Sequence, residues 1–119
     1  EALMLDDQGY VASCNATNFF MVRGGEVLTS TGEACFNGIT RAAVMRLCGT
    51  HGIALAARNF TLLDVYAADE AFVTGTFGGV TPVRSIDGRM LPAGLPGPVT
   101  ARLAELYRAM VERETQAAG

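Results

Sequence analysis

Ala68-Asp69-Glu70-Ala71-Phe72-Val73-Thr74-Gly75-Thr76, followed by Thr81-Pro82-Val83-Arg84-Ser85-Ile86-Asp87-Gly88-Arg89, is the stretch that decides the fold. It reads as a strand running into a turn of small residues, with a second strand closing the hairpin. Residues 71–74 are expected as the first strand, 75–79 as the turn and 80–86 as the return. A turn of this composition exposes backbone N–H groups and hydroxyls, which suits an anionic group. Asp69 and Glu70 are adjacent on an extended segment, so their side chains point to opposite faces. That placement favours structural roles over a general acid/base pair.

Working outward, Phe19-Phe20-Met21-Val22 reads as a buried strand. Arg23-Gly24-Gly25-Glu26 is a hairpin turn, and Val27-Leu28-Thr29 is the return. A short strand is expected over 10–12. A helix begins at Gly38-Ile39-Thr40-Arg41; Ala43, Val44, Leu47 and Cys48 fall at i, i+4 spacing, and Gly49 and Gly52 end it. A strand is expected over 53–56. Thr61-Leu62-Leu63-Asp64 is a capping box that opens a short helix to about Ala67. The last helix starts at Pro98, buries Leu103, Leu106, Tyr107 and Met110, and is expected to fray from Thr115. Strands and helices mix without strict alternation, which predicts one α/β or α+β layered domain with a mixed sheet.

The 119 residues are 50% hydrophobic and 18% charged, enough for one domain with a core. Net charge is −3 and no basic run is present, so the chain is not expected to bind nucleic acid. No apolar run approaches the roughly 20 residues that span a bilayer. Cys14, Cys35 and Cys48 form no paired motif and read as free thiols of a reducing cytoplasm. His51 is the only histidine, sits between glycines and is expected in solvent. No metal site is expected. All nine cationic side chains are arginine, so the chain has no lysine. It opens at Glu1 inside what reads as a strand, which predicts a longer parent protein.

Two segments are suited to a phosphate. A helix starting at Gly38-Ile39-Thr40 directs free N–H groups and its positive dipole end outward, with the Thr40 hydroxyl alongside. The glycine-rich turn Thr74-Gly75-Thr76-Phe77-Gly78-Gly79 leaves N–H groups accessible, and Thr76 adds a donor.

Taken in order, Glu1-Ala2-Leu3-Met4-Leu5-Asp6, Gly9-Tyr10-Val11-Ala12, Asn18-Phe19-Phe20, Gly38-Ile39-Thr40-Arg41, Ala68-Asp69-Glu70-Ala71-Phe72, Thr74-Gly75-Thr76, Thr81-Pro82-Val83, Ile86-Asp87-Gly88-Arg89 and Gly97-Pro98-Val99-Thr100 resemble the C-terminal domain of class IV aminotransferases. These are the fold-type IV pyridoxal phosphate enzymes, which include branched-chain aminotransferase, D-amino-acid aminotransferase and aminodeoxychorismate lyase. The resemblance covers nearly the whole chain. It implies the large, C-terminal domain of a D-amino-acid-aminotransferase-like fold over residues 1–119. It also implies pyridoxal 5'-phosphate as cofactor, an amino acid and a 2-oxo acid as substrates, and a homodimer.

Residue by residue, the resemblance puts the Ile39 backbone, with Gly38 before it, and the Thr40 side chain on the cofactor phosphate. Thr76, with Gly75 before it, goes to the same phosphate. The N–H groups of Thr76 and Phe77, with Gly78 completing the turn, would face the substrate carboxylate. Asn18 and Ser13 fall among the cofactor positions. The family's cofactor-bearing lysine and its phosphate arginine lie upstream of the segment matching residues 1–4, so no catalytic residue is expected in this chain, and the isolated chain is expected to be inactive. Ser13 stands where the family usually places a glutamate that pairs with the protonated ring nitrogen. A serine can hydrogen-bond that nitrogen but cannot stabilise its proton as a carboxylate does. The alternatives are a lyase of the aminodeoxychorismate type and a non-catalytic anion-binding or scaffold domain.

Overall fold

The computed structural model describes residues 3–14, 17–31, 38–75 and 79–118, with the side chains of 13, 14, 117 and 118 outside that description. Nine strands and three helices are formed by the described residues. They run β1 (Leu3–Leu5), β2 (Val11–Cys14), β3 (Asn18–Arg23), β4 (Glu26–Thr29), α1 (Ile39–Thr50), β5 (Leu55–Ala57), α2 (Leu62–Tyr66), β6 (Glu70–Gly75), β7 (Gly79–Pro82), β8 (Ser85–Ile86), β9 (Arg89–Met90) and α3 (Pro98–Ala118).

The centre is a five-stranded sheet in the order β5-β4-β3-β6-β7. Its β4–β5 pair is parallel and the other pairs are antiparallel, so the expected mixed sheet is present. The parallel pair follows from α1, which carries the chain between β4 and β5. The β3–β4 hairpin turns at Gly24 and Gly25, both at positive φ.

Alternation along β3 explains why its apolar run is unbroken. Phe19 and Met21 face a cluster with Val11, Leu28, Phe60, Val65, Ala71 and Leu91. Phe20 and Val22 face the opposite layer, with Phe72, Val44, Leu47, Cys48 and Leu103. One face of the sheet is therefore covered by α1 and α3, and the other by the β1–β2 ribbon and α2. A strand buried on both faces needs apolar residues at consecutive positions. Cys48 is buried and free, and burial pushes its thiol pKa up.

Three expectations need correction. The return over 80–86 is not one strand. β6 and β7 pair through Pro82, and the Val83 N–H still donates to the Ala71 carbonyl at 2.9 Å; the chain then leaves the sheet, and β8 pairs instead with β9 across the Asp87-Gly88 turn. Tyr66 donates to Asp87 and lies under the Arg89 guanidinium, 4.4 Å from the ring centre, which pins that small hairpin. The strand expected over 53–56 begins later, at Leu55, because the Ile53 N–H is used by the Cys48 carbonyl at the end of α1. The last helix does not fray from Thr115 but continues to Ala118.

The capping box at α2 is formed in both directions. The Thr61 hydroxyl accepts from the Asp64 N–H, and the Asp64 carboxylate accepts from the Thr61 N–H at 2.9 Å. That backbone hydrogen bond is the main reason the Asp64 pKa is lowered. The sign follows directly. A carboxyl whose pKa is lower in the folded state stabilises the fold when ionised. Its contribution is complete above the ordinary aspartate range and is lost as pH falls through the lowered value. Asp64→Asn should remove that part of the acid dependence of stability while changing stability at neutral pH by roughly 1 kcal/mol or less. Denaturant melts of the two proteins across the acidic range check this.

Candidate functional site

Asn18, Gly38, Ile39, Thr40 and Gly75 come from three separate segments and meet at one end of the sheet. Asn18 opens β3, pairs with Thr74 and is 5% exposed. Gly75 closes β6. Gly38 is the N-cap of α1, Ile39 its first residue and Thr40 its second. The Thr40 hydroxyl donates to the Gly75 carbonyl at 3.3 Å, and this contact brings the two donor segments of the sequence together. A Cβ at Gly38 would lie 2.6 Å from Asn18 Oδ1, so only glycine lets α1 begin this close to β3.

The start of α1 is electrostatically open. Gly38 provides no side-chain cap, and the first turn carries no acidic residue. The first N–H groups of a helix have no intrahelical partner, and the aligned peptide dipoles place about half a positive charge there. Ile39 is 90% exposed, so its backbone is accessible from solvent.

Two polar groups nearby add to this. The Thr74 hydroxyl is buried and has no partner among the described residues. Arg41 is buried in the first turn of α1, and its Nη2 donates to the Ser30 carbonyl at 2.7 Å. Its Nε has no partner among the described residues. A cation in a first helical turn opposes the helix dipole, so Arg41 is retained there against local preference. Around Thr40 the set consists of hydroxyls and helix N–H groups, while the Arg41 guanidinium is engaged by Ser30. That chemistry fits a phosphate dianion and does not fit a cation. Among the described residues, no group of three or more His, Cys, Asp or Glu side chains could hold a metal ion.

Thr76, Phe77 and Gly78 lie outside the described residues, as does the side chain of Ser13. The Ser13 backbone pairs with Met4 across the β1–β2 ribbon. His51 is exposed at the far end of α1 from Thr40, where its N–H closes onto the Leu47 carbonyl.

Sequence reading gave Asp69 and Glu70 opposite faces and structural roles but named no partner for Glu70. Asp69 and Glu70 do point apart: Asp69 accepts from the Gly24 N–H, while Glu70 is 3% exposed and accepts from Val99 and Thr100 at the start of α3. The available signal was the segment Gly97-Pro98, a helix start with no capping side chain of its own. Among the described residues, no helix is long and apolar enough to cross a membrane.

The family model for amino-transferase class IV matches residues 1–86. A branched-chain-amino-acid aminotransferase of Pseudomonas aeruginosa is 45% identical over 117 residues, which is 98% of this chain and 38% of that protein. The structure of a branched-chain aminotransferase from Thermoproteus uzoniensis with norvaline superposes with a TM-score of 0.86 at 41% identity, over 93% of this chain and 37% of that one. The branched-chain amino acid aminotransferase of Thermobaculum terrenum in its PLP form gives 0.88 at 36% identity, over 92% and 36% respectively. The chain thus spans well under half the length of these relatives. Its matched segments include β3, the start of α1 and β6, the three that meet around Thr40, and the chain belongs to the class IV aminotransferase family.

Proposed function

We propose that this chain is the C-terminal domain of a pyridoxal-phosphate-dependent aminotransferase, which moves an amino group between an amino acid and a 2-oxo acid. The observation that supports this reading is the Thr40 contact with Gly75, which sets the uncapped start of α1 beside the end of β6. The named relatives, branched-chain aminotransferases, favour an aliphatic amino acid as donor. Two copies of the full protein as the working unit, and a cytoplasmic location, belong to the same reading.

Pyridoxal phosphate, when bound, supplies a conjugated ring that takes up the electron pair released at the substrate α-carbon. The residues of this chain hold and orient. Ile39 and Thr40 give backbone N–H groups to the phosphate, and the Thr40 and Thr76 hydroxyls donate to it. Thr76 and Phe77 offer their N–H groups to the substrate carboxylate, with Gly78 allowing close approach. Asn18 fixes the start of α1 against β3. Ser13, at the position the resemblance assigns to the ring nitrogen, would be a neutral partner and would not favour the protonated ring as a carboxylate would. Slow transfer from ordinary amino acids follows from that exchange.

The chain has no lysine, so the amine that carries the cofactor comes from residues outside these 119. Borohydride reduction of the intact, cofactor-loaded protein followed by peptide mapping tests the assignment. One adduct per subunit on a lysine outside residues 1–119, together with amino transfer from a branched-chain amino acid to a 2-oxo acid, is expected. A stoichiometric adduct on an internal residue of this chain, or loading without any amino transfer, contradicts the reading. Loading without transfer would favour the binding-domain alternative.

A further inference from the structure

The phosphate-side hydroxyl of Thr40 has a second neighbour that no motif of the sequence indicated. Tyr107, on the inner face of α3, places its hydroxyl 3.5 Å from Thr40 Oγ1. Thr40 has one hydroxyl hydrogen, and that hydrogen points to the Gly75 carbonyl at 3.3 Å. With that hydrogen on Gly75, Tyr107 is the donor of the second contact and Thr40 the acceptor. The result is a short relay from Tyr107 through Thr40 to Gly75.

Three elements hold this relay in place. Thr40 is buried, with 6% exposure. The Tyr107 ring lies against Gly79, the first residue of β7; a Cβ at Gly79 would come within 3.1 Å of the ring. The tyrosine body packs with Phe72, Val44 and Leu103 in the core between sheet and helices. Helix α3 is itself anchored to β6 by the Glu70 carboxylate, which accepts from Val99 and Thr100.

We propose that Tyr107 is a positioning residue of the phosphate site: by donating to Thr40 Oγ1 it sets the direction, and raises the donor strength, of the single Thr40 hydrogen that turns from Gly75 to the bound anion. A hydroxyl that accepts a hydrogen bond becomes a better donor, because the chain of bonds polarises. With the lone pair on the Tyr107 side occupied, the remaining hydrogen is restricted to the side of Gly75 and the anion. The last helix thereby belongs to the phosphate site although it contributes no direct ligand. This inference rests on the anion-site reading above and adds a third element to it.

The test is a double-mutant cycle in the intact protein. The variants are Tyr107→Phe, Thr40→Val, both together, and Tyr107→Phe in a Thr40→Ser background. Affinities for pyridoxal phosphate and for inorganic phosphate are measured on the apoprotein. Tyr107→Phe keeps the ring, and an unchanged melting temperature of the apoprotein would confirm intact packing. Tyr107→Phe is expected to weaken both ligands about 3- to 10-fold. That factor should vanish in the Thr40→Val background and return in the Thr40→Ser background. If Tyr107→Phe weakens binding equally with valine at 40, the ring environment is responsible and the relay is wrong. If Thr40→Val weakens binding while Tyr107→Phe does nothing, the relay is wrong and the anion site stands. If Thr40→Val leaves both affinities unchanged, the anion site and the relay fail together.

Discussion

Phe72→Ala is expected to destabilise the fold by about 3–5 kcal/mol. Phe72 is fully buried in β6, directly across from Phe20 on β3. The two rings stack with centroids 4.8 Å apart and planes within 7°. They lie between the sheet and the helices, beside Val44 and Cys48 of α1 and Leu103 of α3. Truncation removes the apolar area of one ring, leaves Phe20 without its stacking partner and opens a cavity beneath both helices. Close-packed surroundings relax only partly, so the cavity adds to the lost transfer free energy. Domains of this size have about 5–15 kcal/mol in total, so the variant should be close to unfolding. Denaturant unfolding should show a large fall in midpoint at nearly constant slope. A loss below about 1 kcal/mol would mean that α1 and α3 do not press on this face.

Glu70→Ala is expected to cost on the order of 2–4 kcal/mol, through a different mechanism. The four leading N–H groups of a helix have no internal partner. In α3 the first helical residue is Pro98, which has no N–H, and the first internal bond runs from Ala101 to the Gly97 carbonyl. The exposed donors are therefore Val99 and Thr100, and Glu70 accepts from both, at 3.1 and 2.8 Å. A carboxylate at a helix N-terminus also meets the positive end of the dipole. Alanine leaves two N–H groups without an acceptor at a buried site. Glu70→Gln keeps one acceptor oxygen and should lose roughly half as much. Gly97→Ala is the reciprocal test, because its Cβ would fall 2.2 Å from Glu70 Cγ and force the carboxylate out. Hydrogen exchange of Val99 and Thr100 is the site-specific readout. Protection unchanged in Glu70→Ala would refute the capping role.

What the sequence disclosed, it disclosed through periodicity and turn chemistry. The apolar run 19–22, the paired glycines at 24 and 25, and the Thr61–Asp64 box each depend on contacts only a few residues long, and all three formed as read. The break after Pro82 was harder to see. A proline signals an edge, but only the sheet shows that β7 is the edge strand and that β8 is then free to pair with β9. The site divides in the same way. The segments at Gly38-Ile39-Thr40 and at Thr74-Gly75 were legible as a helix start and a strand end. Their convergence came only through the family resemblance, because no local pattern shows that the start of α1 meets the end of β6, 35 residues away in sequence. Glu70, Arg41 and Tyr107 were hidden for one reason. Each acts on a partner in another element: Glu70 on α3, Arg41 on the end of β4, Tyr107 on α1. A charged residue beside a strand, or a tyrosine on a helix face, has no local pattern that names such a partner.

The central claim is that one anion is held jointly by the start of α1 and the turn after β6. Amide chemical shifts followed while pyridoxal phosphate, and separately inorganic phosphate, is titrated into the folded apoprotein test it most directly. Ile39 and Thr40 should move together with Thr76 and Phe77, saturating at a single ligand concentration, while Gly24 and Gly25 at the opposite end of the sheet stay in place. Saturation of other amides, with Ile39, Thr40, Thr76 and Phe77 unmoved, would contradict the claim.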